Sequence, residues 1–410
     1  MNFREEKDSM GIIKVPEKAY YGAQTVRAMD NFKISGKTLP LEFIYAVVEI
    51  KKGAAIANCK LGLISEKLAN AIVTAANEII GGKFNDQFPL DIFQTGSGTS
   101  TNMNVNEVIA NRACELLGGQ KGDKILCHPN DHVNKGQSSN DVIPSAIHIS
   151  SVLLTDQNLI PALSKLERSL LEKEKEFADI IKIGRTHLMD AVPMTLGQEF
   201  SGYRIQIKKA LERIKESIRG LLDLPLGGTA VGTGINTHPD FAKFAIDEIN
   251  KNIGKEFKQA ENLFEVIAAK DAIVYFAGAL NTLAVSLMKI ANDLRLLNSG
   301  PRCGIAEITL PSLQPGSSIM PGKVNPVIPE AVIQVSAEVM GNVHTISIAG
   351  SSGLLDLNVM MPVIADNLLS SIKLLSNAIS SLAEKCIDGI VANVDRCNEL
   401  VDWSMALVTP

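Results

Sequence analysis

Apolar residues recur along this chain at intervals of three and four. The pattern is clearest at Leu280, Ala284, Leu287, Ala291 and Leu294, and again at Leu368, Ile372, Leu375, Ile379 and Leu382. That spacing puts each set on one face of a helix, as a seam wide enough for helix-on-helix packing. Leu283, Ile290, Leu369 and Leu374 stand beside the seams and widen the apolar surface beyond a single face. Ile147, Val152, Leu153 and Leu159 open an earlier run, which Leu163, Leu166, Leu170 and Leu171 extend. Further helices are expected over Leu41–Cys59, Glu66–Ile80 and Asn102–Leu117, the last with Val105, Ile109 and Ala113 on one face. The stretch before Leu41 is punctuated by Gly11, Pro16, Gly22 and Gly36 and reads as irregular. The texture changes near residue 136, giving a mainly helical N-terminal domain over 1–135 and a long-helix domain over 136–395. The pattern predicts an all-α protein whose central bundle of very long helices is shared between subunits. No strand–helix alternation and no GxGxxG motif point to a dinucleotide fold.

Polar islands interrupt the helical texture. The richest is GSSIMPGKVNP, Gly316 to Pro326, with two hydroxyls, a lysine, an asparagine and several helix breakers in eleven residues. Ser317, Ser318, Lys323 and Asn325 are groups suited to a small anion, and a serine can exchange a proton if its pKa is lowered. Gly316 and Gly322 could let the segment close and exclude water. A second island, TGSGTSTNMNVNE from Thr95 to Glu107, sets Ser97, Thr99, Ser100 and Thr101 at the mouth of a helix. Amides and hydroxyls there make a carboxylate seat, or else cap the helix itself. A third, HPNDHVNKGQSSND from His128 to Asp141, places Ser138, Ser139 and Asn140 in the same way, with Lys135 in reach. Pro129 disfavours a regular helix through His128 and His132, which fit surface or structural roles as well as ligand contact. A fourth segment, Gly184 to Glu199, sets Thr186 and His187 after a long charged helix. Glu330 is a candidate partner that would favour the imidazolium of His187 and hold a water or proton near neutral pH.

Composition narrows the options. Forty basic against 45 acidic residues give a net charge of -5 with no basic block, which disfavours nucleic acid. The N-terminus has no apolar core of a secretory signal. The windows Ala277–Leu297 and Leu354–Leu382 are interrupted by Lys289, Asp293, Asp356 and Asp366, so no membrane span is expected. Six scattered cysteines suit a reduced cytoplasm rather than a disulfide framework. Cys127 and His128 lack further ligands at zinc spacing. A small dicarboxylate fits these islands better than a long or hydrophobic substrate, since donors aimed at its carboxylate would stabilise a neighbouring carbanion as the aci-form. Residue types alone reach an anion-handling helical enzyme.

The motifs carry a resemblance beyond that. YYGAQT from Tyr20, QTGSGTSTNMNVNE from Gln94, HPNDHVNKGQSSND from His128, GRTHLMDAVPMTLGQEFSGY from Gly184, GGTAVGTGIN from Gly227, KIANDLRLLNSGPR from Lys289 and GSSIMPGKVNP occur in order. The chain resembles the fumarase/aspartase superfamily, and within it the class II, iron-independent fumarases. The resemblance implies a homotetramer with a twenty-helix core and active sites assembled from three subunits. It implies reversible hydration of fumarate to L-malate, with Ser317 as the base that removes the C3 proton of malate. Lys323 and Asn325 would hold the substrate carboxylate, and Ser97, Thr99, Ser138, Ser139, Asn140 and Thr186 would complete the site. His187, paired with Glu330, would position the water at C2. His128, Asn130 and Asp131 match the family's second, peripheral dicarboxylate site. Neither residues nor resemblance imply a metal or organic cofactor.

Aspartate ammonia-lyase is the alternative within the superfamily. His187 stands where aspartases typically have glutamine, Gly322 where they have alanine, and TGSGT is fumarase-like. VPMTLGQE and LNVMMPVI at Leu357–Ile364 lean the other way. Argininosuccinate and adenylosuccinate lyases match the first islands poorly. Family members continue into a small C-terminal helical domain, of which residues 396–410 would be the start, leaving Trp403 and Met405 more exposed.

Overall fold

The computed structural model describes residues 2–405; positions 406–410 of the C-terminal segment lie outside the described residues. In chain order the helices are α1 (Ala23–Asn31), α2 (Leu41–Lys60), α3 (Glu66–Ile80), α4 (Thr99–Leu116) and α5 (Ser139–Leu154). Next come α6 (Ile160–Glu176), α7 (Leu196–Ser217), α8 (Phe241–Ile253) and the short α9 (Leu263–Ala268). The last four are α10 (Asp271–Leu297), α11 (Val327–Gly350), α12 (Met361–Lys385) and α13 (Val394–Trp403). A π-helical turn, Thr155–Leu159, joins α5 to α6. The mainly helical expectation holds, and the seam residues of α10 and α12 are fully buried. By length and mean hydropathy, 1.6 over 18 residues, α10 is apolar enough to cross a membrane, contrary to the sequence reading. Half of that window is buried inside the protein, and Lys289 pairs with Asp293 on the same helix at 2.5 Å, as suits a core helix.

Two compact units make up the chain. The first comprises Met1–Leu153, Ile218–Tyr275 and His344–Leu369. In it α2 packs on α3 and α8. At Gly53 a Cβ would lie 2.9 Å from the carbonyl oxygen of Ala245, so glycine permits the close approach of α2 and α8. Ser65 caps α3 by accepting from the Leu68 amide, and Gly81 follows the last turn. The N-terminal stretch read as irregular is instead a hairpin of β1 (Phe3–Asp8) and β2 (Gly11–Pro16). Tertiary contacts override its mixed pattern. Arg4 donates to Glu6 at 2.7 Å and to the carbonyls of Pro16, Ala19 and Tyr21 at 3.0, 2.7 and 2.9 Å.

The second unit comprises Leu154–Ser217, Phe276–Val343 and Ser370–Pro410. Here α6 lies along α7, and Leu163, Leu166 and Leu170 of the one and Phe200, Tyr203 and Ile207 of the other are buried. The segment expected to follow a charged helix as a plain junction is an antiparallel hairpin, β3 (Ile181–Thr186) and β4 (Met189–Thr195). Helix α13 packs on β3, and the two-residue strands Ile308–Thr309 and Val391–Ala392 pair antiparallel. Trp403 and Met405 are exposed.

Candidate active site

In the first unit the Thr95–Glu107 island enters α4 three residues earlier than its apolar pattern starts. Gly98, at φ 71°, stops the helix from extending backward, and Gln94 Oε1 accepts from the Thr101 amide and hydroxyl at 3.0 and 2.8 Å. Ser97 and Thr99 share a hydroxyl–hydroxyl bond of 2.8 Å, and Thr95 and Ser100 another of 2.9 Å. The α4 amide is thus capped by Gln94, one residue ahead of the island, while the island's own hydroxyls pair with one another. Gly96 lies against the backbone of Val359, and its carbonyl accepts from the Met361 amide at 3.0 Å. Glu107 at the island's end is structural, since it accepts from the amides of Gly22, Gln24 and Thr25 at 2.8, 2.8 and 3.1 Å.

The third island meets the second through Asn102, whose amide donates to Ser139 Oγ and to Asn134 Oδ1, both at 3.2 Å. Asn134 Oδ1 also accepts from Asn106 at 3.2 Å and from Lys51 Nζ at 2.8 Å, while Lys51 reaches Gln137 Oε1 at 3.0 Å. Three buried donors thus converge on one amide oxygen behind Ser139. Burial brings the Lys51 ammonium down to about 7, against the pull of Asp141. Burial likewise raises Asp141 to about 6, opposed by amides of Ser138, Thr229 and Gly227 that donate at 2.9, 3.0 and 3.0 Å. Asp141 thereby ties the start of α5 to the Gly227–Thr229 loop, and Asn140 donates to the Ala230 carbonyl at 2.8 Å. His128 is used locally: its Nδ1 accepts from the amides of Asn130 and Asp131 at 3.2 Å each, capping the π-helical turn Pro129–Val133. Asn130 and Asp131 are exposed beside it.

In the second unit the Gly316–Pro326 loop is closed on itself. The Gly316 amide donates to the Lys323 carbonyl at 2.7 Å, and Asn325 donates its side-chain amide to the Gly316 carbonyl at 2.8 Å. A Cβ at Gly316 would sit 2.7 Å from the Lys323 carbonyl oxygen, so this closure needs glycine. Ser317 Oγ accepts from the amides of Ile319 and Met320 at 3.1 and 3.0 Å. Lys323, Asn325 and Glu330 line a cavity of about 480 Å³ together with Arg295, Asn298 and Asn393. Thr186 ends β3, and His187 follows in the turn, exposed. Among the described residues no hydrogen bond or ion pair joins His187 to Glu330 within one chain.

Of the candidate residues, Ser97, Thr99, Ser138, Ser139, Asn140, His128, Asn130 and Asp131 belong to the first unit; Thr186, His187, Ser317, Lys323, Asn325 and Glu330 belong to the second. Sequence reasoning missed Lys51, Asn134 and the bridging role of Asn102. Lys51 carried a signal: it follows Val47 by four and precedes Ala54 and Ala55 by three and four, on a buried face of α2.

A family model described as "Lyase" matches residues 11–341. Fumarate hydratase class II of Nitrosomonas europaea is 52% identical over 99% of this chain and 88% of its own length. The mitochondrial fumarate hydratase of Homo sapiens is 54% identical over 100% of this chain and 80% of its own. The chain belongs to the class II fumarase family. Its fold agrees throughout: a class II fumarase from Schistosoma mansoni superposes with a TM-score of 0.97 at 45% identity, over 99% of this chain and 88% of that one.

Proposed function

We propose that the enzyme interconverts fumarate and L-malate by anti addition and elimination of water. Identity of 52–55% over essentially the whole chain to fumarate hydratases carries that reading. In the dehydration direction Ser317 takes the C3 proton of malate, and the electron pair left on C3 moves into the adjacent carboxylate as the aci-form. The two amides donating to Ser317 Oγ stabilise negative charge on that oxygen, the condition a serine base needs. Lys323 and Asn325 neutralise the charge that develops on the carboxylate. The C2–OH bond then breaks, and the hydroxyl leaves as water with a proton supplied at the site that His187 and Glu330 organise. Ser97, Thr99, Ser138, Ser139, Asn140 and Thr186 hold the dicarboxylate in place, and His128, Asn130 and Asp131 form a peripheral dicarboxylate seat.

The same proposal includes a homotetramer with active sites drawn from three subunits. Helix α11 supports it: it leaves Ile328, Ile333, Val335 and Met340 only half-buried and Ile348 exposed in one chain. Glu330, whose side chain has no hydrogen-bond or ion-pair partner among the described residues, would meet His187 of another subunit. A cytoplasmic location is supported by six free cysteines.

Ultraviolet absorbance of the fumarate double bond, followed separately with L-malate and L-aspartate, tests the reading. Signal with malate alone is expected; signal with aspartate alone would make the enzyme an aspartate ammonia-lyase.

A further inference from the structure

The turn that carries His187 is built from the wrong residues for its shape. Strands β3 and β4 are joined by only two residues, His187 and Leu188, with φ of 54° and 61°. A two-residue hairpin loop with positive φ at both positions is ordinarily Asn-Gly or Asp-Gly, because a Cβ is strained there. Packing within one chain does not explain the leucine, which is 68% exposed there. What forces the conformation is the stem of the hairpin. Arg185 grips Glu307 with two bonds of 2.9 and 3.0 Å, and Lys182 lies 3.3 Å from both Glu307 and Glu199. Glu307 is completely buried. The pairing slips by one residue between Ile183 and Arg185, at Gly184, where a Cβ would stand 2.7 Å from the Val192 carbonyl oxygen. That bulge re-aims the strand end and sets Arg185 opposite Asp190 and Thr186 opposite Met189, leaving two residues to turn the chain. Strain persists where the surroundings over-determine a conformation, and such sites cluster at functional centres.

We propose that Leu188 is a positioning residue for the reaction: confined at positive φ between pinned strands, it fixes the backbone of His187 and so the direction of its imidazole. An L-residue in this region has one small well, whereas glycine there has a broad basin. The strain is thus retained because it narrows the conformations open to the neighbouring histidine. This inference rests on His187 acting at the water site.

The test compares Leu188→Gly, Leu188→Asn and His187→Ala as assembled full-length enzymes, reading kcat, KM and thermal midpoint. Leu188→Gly relaxes the turn, so the midpoint is expected to hold or rise by about 1–3 °C. Its kcat is expected to fall by about 5- to 100-fold, with a smaller change in KM. Leu188→Asn keeps a Cβ and tolerates positive φ, and is expected to stay within about threefold of wild-type kcat. Wild-type kcat in Leu188→Gly, with His187→Ala inactive, would overturn the inference. So would equal losses in Leu188→Asn and Leu188→Gly, which would mean a lost aliphatic contact. So would a midpoint falling in step with activity, which would mean a structural role only. Retained turnover in His187→Ala would instead remove the role of His187, and the inference with it.

Discussion

Asn102, in the first turn of α4, donates its side-chain amide to Ser139 Oγ at 3.2 Å and so joins two islands 37 residues apart. Because Ser139 Oγ accepts this bond, its own proton is left to point at a ligand. Asn102→Ala should therefore raise KM for malate by roughly tenfold, the worth of one directed hydrogen bond to a charged group, with a smaller effect on kcat. Steady-state kinetics checks it; an unchanged KM would show that Ser139 orients itself.

Gly96 is required for a steric reason. A Cβ there would lie 1.8 Å from the Val359 carbonyl oxygen, and backbone cannot yield as a flexible side chain can. Gly96→Ala should cost about 2–3 kcal/mol of stability and displace the Ser97 loop. A lower thermal midpoint and a loss in kcat/KM are expected together.

Ser317→Ala should reduce kcat by about 10²–10⁴-fold, the usual range for loss of a general base, while leaving assembly and thermal midpoint intact. Exchange of the malate C3 proton with solvent should be lost in parallel. Turnover close to wild type would remove Ser317 from the mechanism.

His148, buried on α5, meets the Asp223 carbonyl at 3.0 Å. Burial pushes it down to about 4, and the ammonium of Lys270 adds to that. Lys270 itself is lowered to about 8 by burial and donates to the carbonyls of Val266, Ile267 and Ala269. The unfolded chain, with histidine near 6.5, binds this proton between about pH 4 and 6.5 while the folded chain does not. Stability is therefore full above pH 6.5 and falls as pH drops to 4, by about 3 kcal/mol from this group. His148→Gln should flatten that part of the acid limb in thermal midpoints measured against pH.

The hairpins mark where local reading failed. FREEKD and GIIKVP carry no clean alternation of apolar and polar residues, so nothing local announced β1 and β2. In β3 the clue was overridden by charge: IKIGRT buries Lys182 beside Ile183 because Glu199 and Glu307 neutralise it from elsewhere in the chain. A strand is decided by its partner, and the partner's contribution is absent from its own pattern.

What the sequence determined by itself was whatever its neighbours along the chain decide. The three-four spacing of Leu280–Leu294 and Leu368–Leu382 specifies buried helices, since that period is set within a few turns. The polar islands announce themselves because hydroxyls, amides and breakers cannot be core. The ordered motifs likewise marked the family. Only the tertiary structure decided which distant groups share a network. Lys51 on α2, Asn102 and Asn106 on α4, Asn134 before α5 and Ser139 within it meet because helices pack side by side, and no local spacing encodes which buried donors face one amide oxygen. The positive-φ turn at His187 and Leu188 was invisible for the same reason: its stem is held through Arg185 by Glu307, more than a hundred residues away.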